Sequence, residues 1–87
     1  MAVTVRFTRH ARAKFSLLVA HGFAVSEEQV RTTVTTPDRV ESHGGEFIAQ
    51  RRTTDTHVLR VVYRLENGQV VVITFYPGRR ERYEDTV

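Results

Sequence analysis

Cysteine is absent from this 87-residue sequence. Disulfide bonds, thiolate metal sites and a cysteine nucleophile are therefore excluded. Long apolar stretches are absent as well, and the N-terminal segment MAVTVRFTRHARAK lacks the apolar core of a signal peptide. We therefore expect a cytoplasmic protein that makes no use of a membrane.

Recognisable metal and nucleotide motifs are also missing. The sequence contains no HExxH pattern, no cysteine pair, and no Walker or dinucleotide glycine pattern. A serine triad has no support either. We therefore expect no metal and no cofactor.

Lysine is nearly absent, since Lys14 is the single lysine among 13 lysine and arginine residues. The formal net charge is +3 at pH 7. Arginine offers phosphate a planar fork of donors that lysine lacks, and a modest positive charge favours nucleic-acid or acidic protein partners. A compositional bias of the source genome would produce the same arginine excess, so the composition alone does not decide between these readings.

Capping residues and apolar spacing predict two helices near the N-terminus. Thr8 is placed to cap a helix from Arg9 to about His21, and Gly22 fits the left-handed position that ends it. Ser26, with Gln29 three residues later, forms the capping-box spacing of a second helix.

Alternating apolar residues predict that the remainder of the chain is largely β-structure. The predicted strands are Val3–Phe7, Arg39–Ser42, Glu46–Thr53 and the two arms of a hairpin from Val58 to Pro77. The order β-α-α-β-β-β-β indicates a single α+β domain over residues 1–87, with two N-terminal helices packed on one face of an antiparallel sheet. Residues 79–87 are expected to form a short charged tail that is prone to fraying.

Two registers are possible for the hairpin around Asn67-Gly68. A two-residue loop mixes apolar side chains and arginines on both faces. A loop of three residues, Glu66 to Gly68, closed by a glycine bulge, separates the two kinds of residue, so we expect this register. The predicted apolar face carries Leu59, Val61, Tyr63, Leu65, Val71, Ile73 and Phe75. The predicted opposite face carries Arg60, Arg64, Thr74 and Tyr76 among valines.

Polar residues on that opposite face and on the first helix form the candidate site. A histidine near neutral pH is a natural general acid or base, and arginine can stabilise a developing phosphorane. The candidate catalytic residues are His10, Arg60, Thr74 and Tyr76. The candidate RNA-binding residues are Arg9, Arg12, Lys14, Arg51, Arg52 and Arg64. Alternation does not decide which of Arg51 and Arg52 faces the site, and a solvated helix surface and sheet face remain the alternative interpretation.

Three segments resemble a bacterial family. They are Thr8-Arg9-His10-Ala11-Arg12, then S-E-E-Q-V followed by T-P-D, and the final strand V-V-I-T-F-Y-P. They are similar to a domain-of-unknown-function family grouped with the RelE/ParE- and BrnT-like toxin superfamily. The resemblance covers Val5 to Pro77 and implies a RelE-like fold. Several superfamily members are metal-independent ribonucleases, others inhibit topoisomerase, and an antitoxin-like partner normally neutralises such toxins.

These observations lead to two functional hypotheses. The first is a toxin-like domain of a toxin-antitoxin system that binds RNA or the ribosome, or cleaves RNA without a metal. In this mechanism a ribose 2′-hydroxyl attacks its own phosphate, with His10 as acid or base, Arg60 and Arg51 stabilising charge, and Tyr76 orienting or protonating. It requires His10 and Tyr76 to border one concavity. The alternative is a non-enzymatic protein-interaction module that uses the arginine-rich sheet face and an edge strand.

Overall fold

The structure, a computed structural model, describes residues 3–84, and this part of the chain forms an α+β fold with a five-stranded sheet and three helices. Within these residues no helix has both the length and the apolar character needed to cross a membrane. The elements in chain order are β1 (Val5–Phe7), α1 (Arg9–Ala20), α2 (Glu27–Thr35), β2 (Arg39–His43), β3 (Glu46–Arg52), β4 (His57–Glu66), β5 (Gln69–Arg79) and α3 (Arg80–Tyr83).

Helix α1 begins and ends where its capping residues predict. The Thr8 hydroxyl oxygen accepts a hydrogen bond from the backbone N–H of Ala11 at 3.1 Å. At the other end Gly22 has a φ of +88°, and the Phe23 N–H donates to the Leu18 carbonyl at 2.8 Å. This is the Schellman arrangement, which needs a left-handed residue and therefore favours glycine.

Helix α2 begins with the predicted capping box. The Ser26 hydroxyl oxygen accepts from the Gln29 N–H at 3.1 Å, and the Gln29 side-chain oxygen accepts from the Ser26 N–H at 2.9 Å. The helix ends at Thr35, two residues before Pro37, because proline cannot continue the hydrogen-bond ladder.

The sheet is mixed, and the expectation of an antiparallel sheet is wrong. Its strand order is β1-β5-β4-β3-β2, in which β1 pairs in parallel with β5 and the other neighbours are antiparallel. The parallel register places Val5 beside Val70 and Phe7 beside Val72. A parallel pair needs a long connection, which the segment between the two strands supplies. Alternation within a three-residue strand carries no information about direction.

The β4–β5 hairpin has the two-residue loop, so the expected three-residue loop is wrong. Asn67 and Gly68 have φ values of +52° and +77°, as a type I′ turn requires, and Leu65 pairs with Val70. The extra residue lies further along the strand, because Val62 pairs with Thr74 whereas Tyr63 pairs with Val72.

Because of a bulge in β5, the hairpin has both this tight turn and an apolar face. It leaves Ile73 without a cross-strand partner and reverses the alternation of β5 at that point. Val70 and Val72 therefore join Phe75 in the core, in place of the expected Val71 and Ile73. We call the side of the sheet that carries Leu59, Val61 and Phe75 the core side, and the side that carries Arg60 and Tyr76 the arginine side.

One cluster of buried apolar side chains joins residues of α1 and α2 to the core side. The Phe15 ring of α1 lies 4.6 Å from the Phe75 ring, centroid to centroid, as expected from the sequence. The buried members of the cluster are Val5, Ala11, Leu18, Val30, Val34, Leu59, Val61, Val70, Val72 and Phe75.

Candidate nucleic-acid interface

Arg60 lies at the centre of the arginine side and is almost completely buried. It pairs across the strands with Tyr76 and Gln50. Its Nε donates to the Tyr76 hydroxyl at 3.1 Å, one terminal nitrogen donates to Glu41 at 2.9 Å, and the other donates to the Gln50 side-chain oxygen. Arg60 retains only 5% of its accessible surface, and its donors are occupied by hydrogen bonds within the protein.

Tyr83 of α3 covers Arg60. The guanidinium carbon lies 4.2 Å from the centre of the Tyr83 ring, a cation–π contact. The ring also lies against Gly78 of β5, where a Cβ atom would lie only 2.6 Å from the ring atom Cδ2. The Tyr83 carbonyl oxygen accepts from Arg39 at 3.1 Å and from the Gln50 amide at 3.4 Å.

The segment expected to be a charged tail is therefore structured as far as residue 84. Arg79 ends β5, and α3 follows it directly. Glu84 accepts hydrogen bonds from Arg80 at 2.6 Å and from Arg52 at 3.2 Å, which hold the end of α3 against β3. Residues 85–87 lie outside the described part of the chain.

Three glutamates on the arginine side are each shared by two arginines. We call each such group an arginine triad. The triads are Glu41 with Arg39 and Arg60, Glu66 with Arg6 and Arg64, and Glu84 with Arg52 and Arg80. Each triad has one more positive than negative charge, so this side of the sheet keeps an excess of positive charge.

The ion pairs stabilise the charged forms of these groups. A hydrogen bond from Arg60 lowers the pKa of Glu41, one from Arg64 lowers that of Glu66, and bonds from Arg80 and Arg52 lower that of Glu84. Burial opposes the charged form of Arg60, but hydrogen bonds with Tyr76 and Glu41 raise its pKa nevertheless.

His10 does not converge with Tyr76, and that prediction is wrong. His10 is exposed on α1, whose Phe15 ring packs against Phe75 on the core side. Tyr76 follows Phe75 in the strand and projects to the arginine side, where its hydroxyl meets Arg60. The depression beside His10 is lined by its own helix, through Ala13, Lys14, Ser16 and Leu17.

The arginine side does bring together several of the other candidates. Thr74 pairs with Val62 and shares the strand side of Tyr76, and both side chains are partly exposed. Arg64 binds Glu66 there. Arg52 also lies on this side, which answers the question that alternation left open.

Arg51 and the basic residues of α1 lie elsewhere. Arg51 pairs with Leu59 in the sheet and donates to the Thr36 carbonyl at 2.6 Å, so it lies on the core side. Arg12 of α1 pairs with Glu27 at 2.6 Å and lies 5.0 Å from the centre of the Phe7 ring. Arg9 and Lys14 belong to the same helix.

Sequence reasoning missed Glu41, Gln50 and Tyr83 as members of this site. Alternation in β3 puts Gln50 and Arg52 on one face, which was a usable signal for Gln50 once the side of Arg60 is known. Tyr83 gave no local signal, because its role depends on its proximity to Gly78 and Arg60, which only the folded chain brings together.

The arrangement provides fixed positive charge, and one histidine lies beside it, because His43 Nε2 is 3.6 Å from Glu41 Oε1. Such a surface can hold an anionic polymer, and the groups on it that can transfer a proton include Tyr76, which contacts Arg60, and His43, which contacts Glu41 of the same triad. Comparisons with family models, with curated proteins and with solved structures found no match to this chain.

Proposed function

We propose that this chain is a toxin-like RNA-binding domain that binds RNA on the arginine side of its sheet. The proposal includes a RelE-like arrangement in which both long helices lie on the core side and leave the opposite side for the ligand. The arginine triads are the observation that carries it.

The triads favour phosphate in two ways. Each shared glutamate orients two guanidinium groups at a defined place on a rigid sheet, which reduces the ordering cost of binding. Each triad also retains positive charge, and the chain as a whole carries +3. Arg6 and Arg64 around Glu66 are well suited to reach a ligand, because their side chains are 58% and 43% exposed. Thr74 and Tyr76 add hydroxyl groups that can bind ribose or phosphate oxygens.

Binding is measured by the fluorescence anisotropy of labelled single-stranded RNA. We expect the double variant Arg6→Ala/Arg64→Ala to bind about tenfold or more weakly, and its log–log salt dependence to become shallower by about 0.7 for each phosphate that the variant no longer neutralises. The matched control is Arg9→Ala/Arg31→Ala, which removes the same charge from α1 and α2 and should change affinity less than about twofold. Equal losses in the two variants, or no binding at low salt, would contradict the proposal.

RNA cleavage is tested with the same protein in EDTA. The product ends are examined for 2′,3′-cyclic phosphates, which a metal-independent attack by the 2′-hydroxyl would leave. Because His10 lies on the core-side helix, we expect His10→Ala to leave RNA binding and any cleavage unchanged, whereas Tyr76→Phe should reduce cleavage. Cleavage that requires His10 would show that the separation of His10 from Tyr76 does not hold in the complex with RNA.

A protein-interaction module is a second candidate, favoured by the edge strand β2. β2 is the last strand of the sheet, and Val40 within it is 46% exposed. Open edge strands can pair with an extended segment of a partner. Co-purification with the product of the neighbouring gene, unaffected by salt but lost in Val40→Lys and retained in the control Val3→Lys, would favour this candidate.

A further inference from the structure

We propose that Tyr83 and Glu84 occupy the place of one nucleotide unit on the arginine side, and that an RNA strand binds there by displacing them. The inference rests on the proposed RNA-binding function and adds to it the specific site and the chemistry of its ligand. It follows from what these two residues present to the sheet: an aromatic ring, a hydrogen-bond acceptor and an anion, in that order.

The ring position is a slot between Arg60 and Gly78. The guanidinium of Arg60 forms one wall, 4.2 Å from the ring centre. The backbone of Gly78 forms another, and a Cβ atom at this position would overlap the ring. A nucleobase is a flat aromatic ring that stacks on arginine in the same way as the tyrosine ring does. The slot therefore selects planar rings by its shape and by the charge of its wall.

Hydrogen-bond donors of the sheet lie beside the slot and bind polar groups of Tyr83 and Glu84. The Tyr83 carbonyl oxygen is bound by Arg39 at 3.1 Å and by the Gln50 amide at 3.4 Å. The Glu84 carboxylate is bound by Arg52 through Nε at 3.3 Å and through a terminal nitrogen at 3.2 Å. Once α3 leaves, the Gln50 amide and the Arg52 guanidinium lose these acceptors, whereas Arg39 still pairs with Glu41. Base and phosphate oxygens of a nucleotide can replace the lost acceptors.

Displacement makes the intact chain bind more weakly than the open site. A tethered segment competes at a high effective concentration, and the apparent affinity falls in proportion to the fraction of molecules whose site is open. Removing the Tyr83 ring should therefore strengthen ligand binding, although it removes a side chain that an ordinary interface would use to bind the ligand. This sign separates the proposal from a role of Tyr83 as a direct RNA-binding residue.

The first experiment measures adenosine 5′-monophosphate binding to Tyr83→Ala by calorimetry. This variant leaves the net charge unchanged, and we expect it to bind about tenfold or more tightly than the intact chain. Adenosine has only the base and sugar, and inorganic phosphate has only the anion. For each of these two ligands the substitution should increase the affinity much less. Gly78→Val in the Tyr83→Ala background fills the slot and should reverse the gain. No gain, or a gain that Gly78→Val leaves intact, would overturn the proposal.

A second experiment tests Glu84 and includes a control for the change in charge. Glu84→Ala and Glu66→Ala each remove a carboxylate that two arginines share, but only Glu84→Ala weakens the attachment of α3. We expect Glu84→Ala to strengthen adenosine 5′-monophosphate binding more than Glu66→Ala does. Equal effects would mean that added positive charge alone explains the gain, and the proposal would fall.

Hydrogen exchange in the unmodified chain provides a test that does not depend on the folding of a variant. Saturating single-stranded RNA should slow exchange in β4 and β5 but speed exchange of the backbone amides of residues 80–84. Slower or unchanged exchange at 80–84 would overturn the displacement. RNA binding by the intact chain without displacement would leave the proposed function standing, whereas no RNA binding by the intact chain or by Tyr83→Ala would remove both.

Discussion

At the scale of single residues, position 78 is restricted to glycine by the side chain of another residue. Gly78 is a strand residue with an ordinary φ angle, so no backbone requirement selects glycine there. The Tyr83 ring selects glycine at this position, because the ring occupies the space that a Cβ atom would need. A glycine in a strand usually weakens it, and here that cost is offset by a close approach of α3.

Gly78→Ala should therefore lower the free energy of unfolding by about 1–3 kcal/mol, the usual cost of overpacking. Urea denaturation measures the change. In a Tyr83→Ala background the same substitution should cost much less, since the ring is gone, and a double-mutant cycle shows this coupling. An equal loss of unfolding free energy in both backgrounds would mean that the strain does not come from the Tyr83 ring.

Phe75 is the largest fully buried side chain, and its ring packs against Phe15 of α1. We expect Phe75→Ala to lower the free energy of unfolding by about 3–5 kcal/mol. Leu65→Ala is the control, because Leu65 is 54% exposed and should cost less than about 1 kcal/mol. Similar losses at both positions would contradict the assignment of the core.

At the scale of elements, the helix ends were predictable because their signals are local. Ser26 and Gln29 satisfy each other's backbone groups within one turn, so four consecutive residues contain the information. The β5 bulge was not predictable in the same way, because Ile73 is left out only when Val70, Val72 and Phe75 must all reach the core.

Ser26→Ala should lower the free energy of unfolding by about 0.5–2 kcal/mol through loss of the cap. Ser16→Ala, at an exposed position within α1, is the control and should be neutral or slightly stabilising because alanine favours helix. Thermal unfolding followed by circular dichroism compares the two. A neutral Ser26→Ala would mean that packing of α2 alone sets where this helix starts.

The candidate site was predictable in part, for the same reason. The alternation of β4 placed Arg60 and Arg64 away from the core, and Thr74 and Tyr76 were assigned to the correct side. Their partners come from β2, β3 and α3, and no pattern within one strand indicates which neighbouring element supplies a glutamate or a ring. The tertiary fold therefore decided whether an arginine is free or buried.

At the scale of the whole molecule, the arginine triads link β1, β2, β3, β4 and α3 by charge. Every glutamate in them has a pKa below its ordinary value. A carboxyl group of this kind stabilises the fold above its unfolded pKa, and the contribution is lost as the pH falls through the lowered folded value.

The free energy of unfolding should therefore be nearly constant between about pH 7 and pH 5 and decrease below about pH 4.3, the ordinary glutamate value. Urea titrations at a series of pH values measure it. Glu41→Gln, which removes the carboxylate bound to Arg60, should give a shallower acid dependence. Stability that rises on acidification would contradict a stabilising role for the triads.

The parallel pairing of β1 with β5 also affects how the chain folds during synthesis. Thr8, just after β1, bonds to Ile73 across 65 positions of sequence, so the first strand leaves the ribosome long before its partner exists. Until β5 emerges, Val5 lacks Val70, its strand partner in the buried cluster, and contacts of such high sequence separation form slowly. The sheet is therefore completed only after β5 has been synthesised, and until then the nascent chain carries an apolar N-terminal strand that is accessible to chaperones.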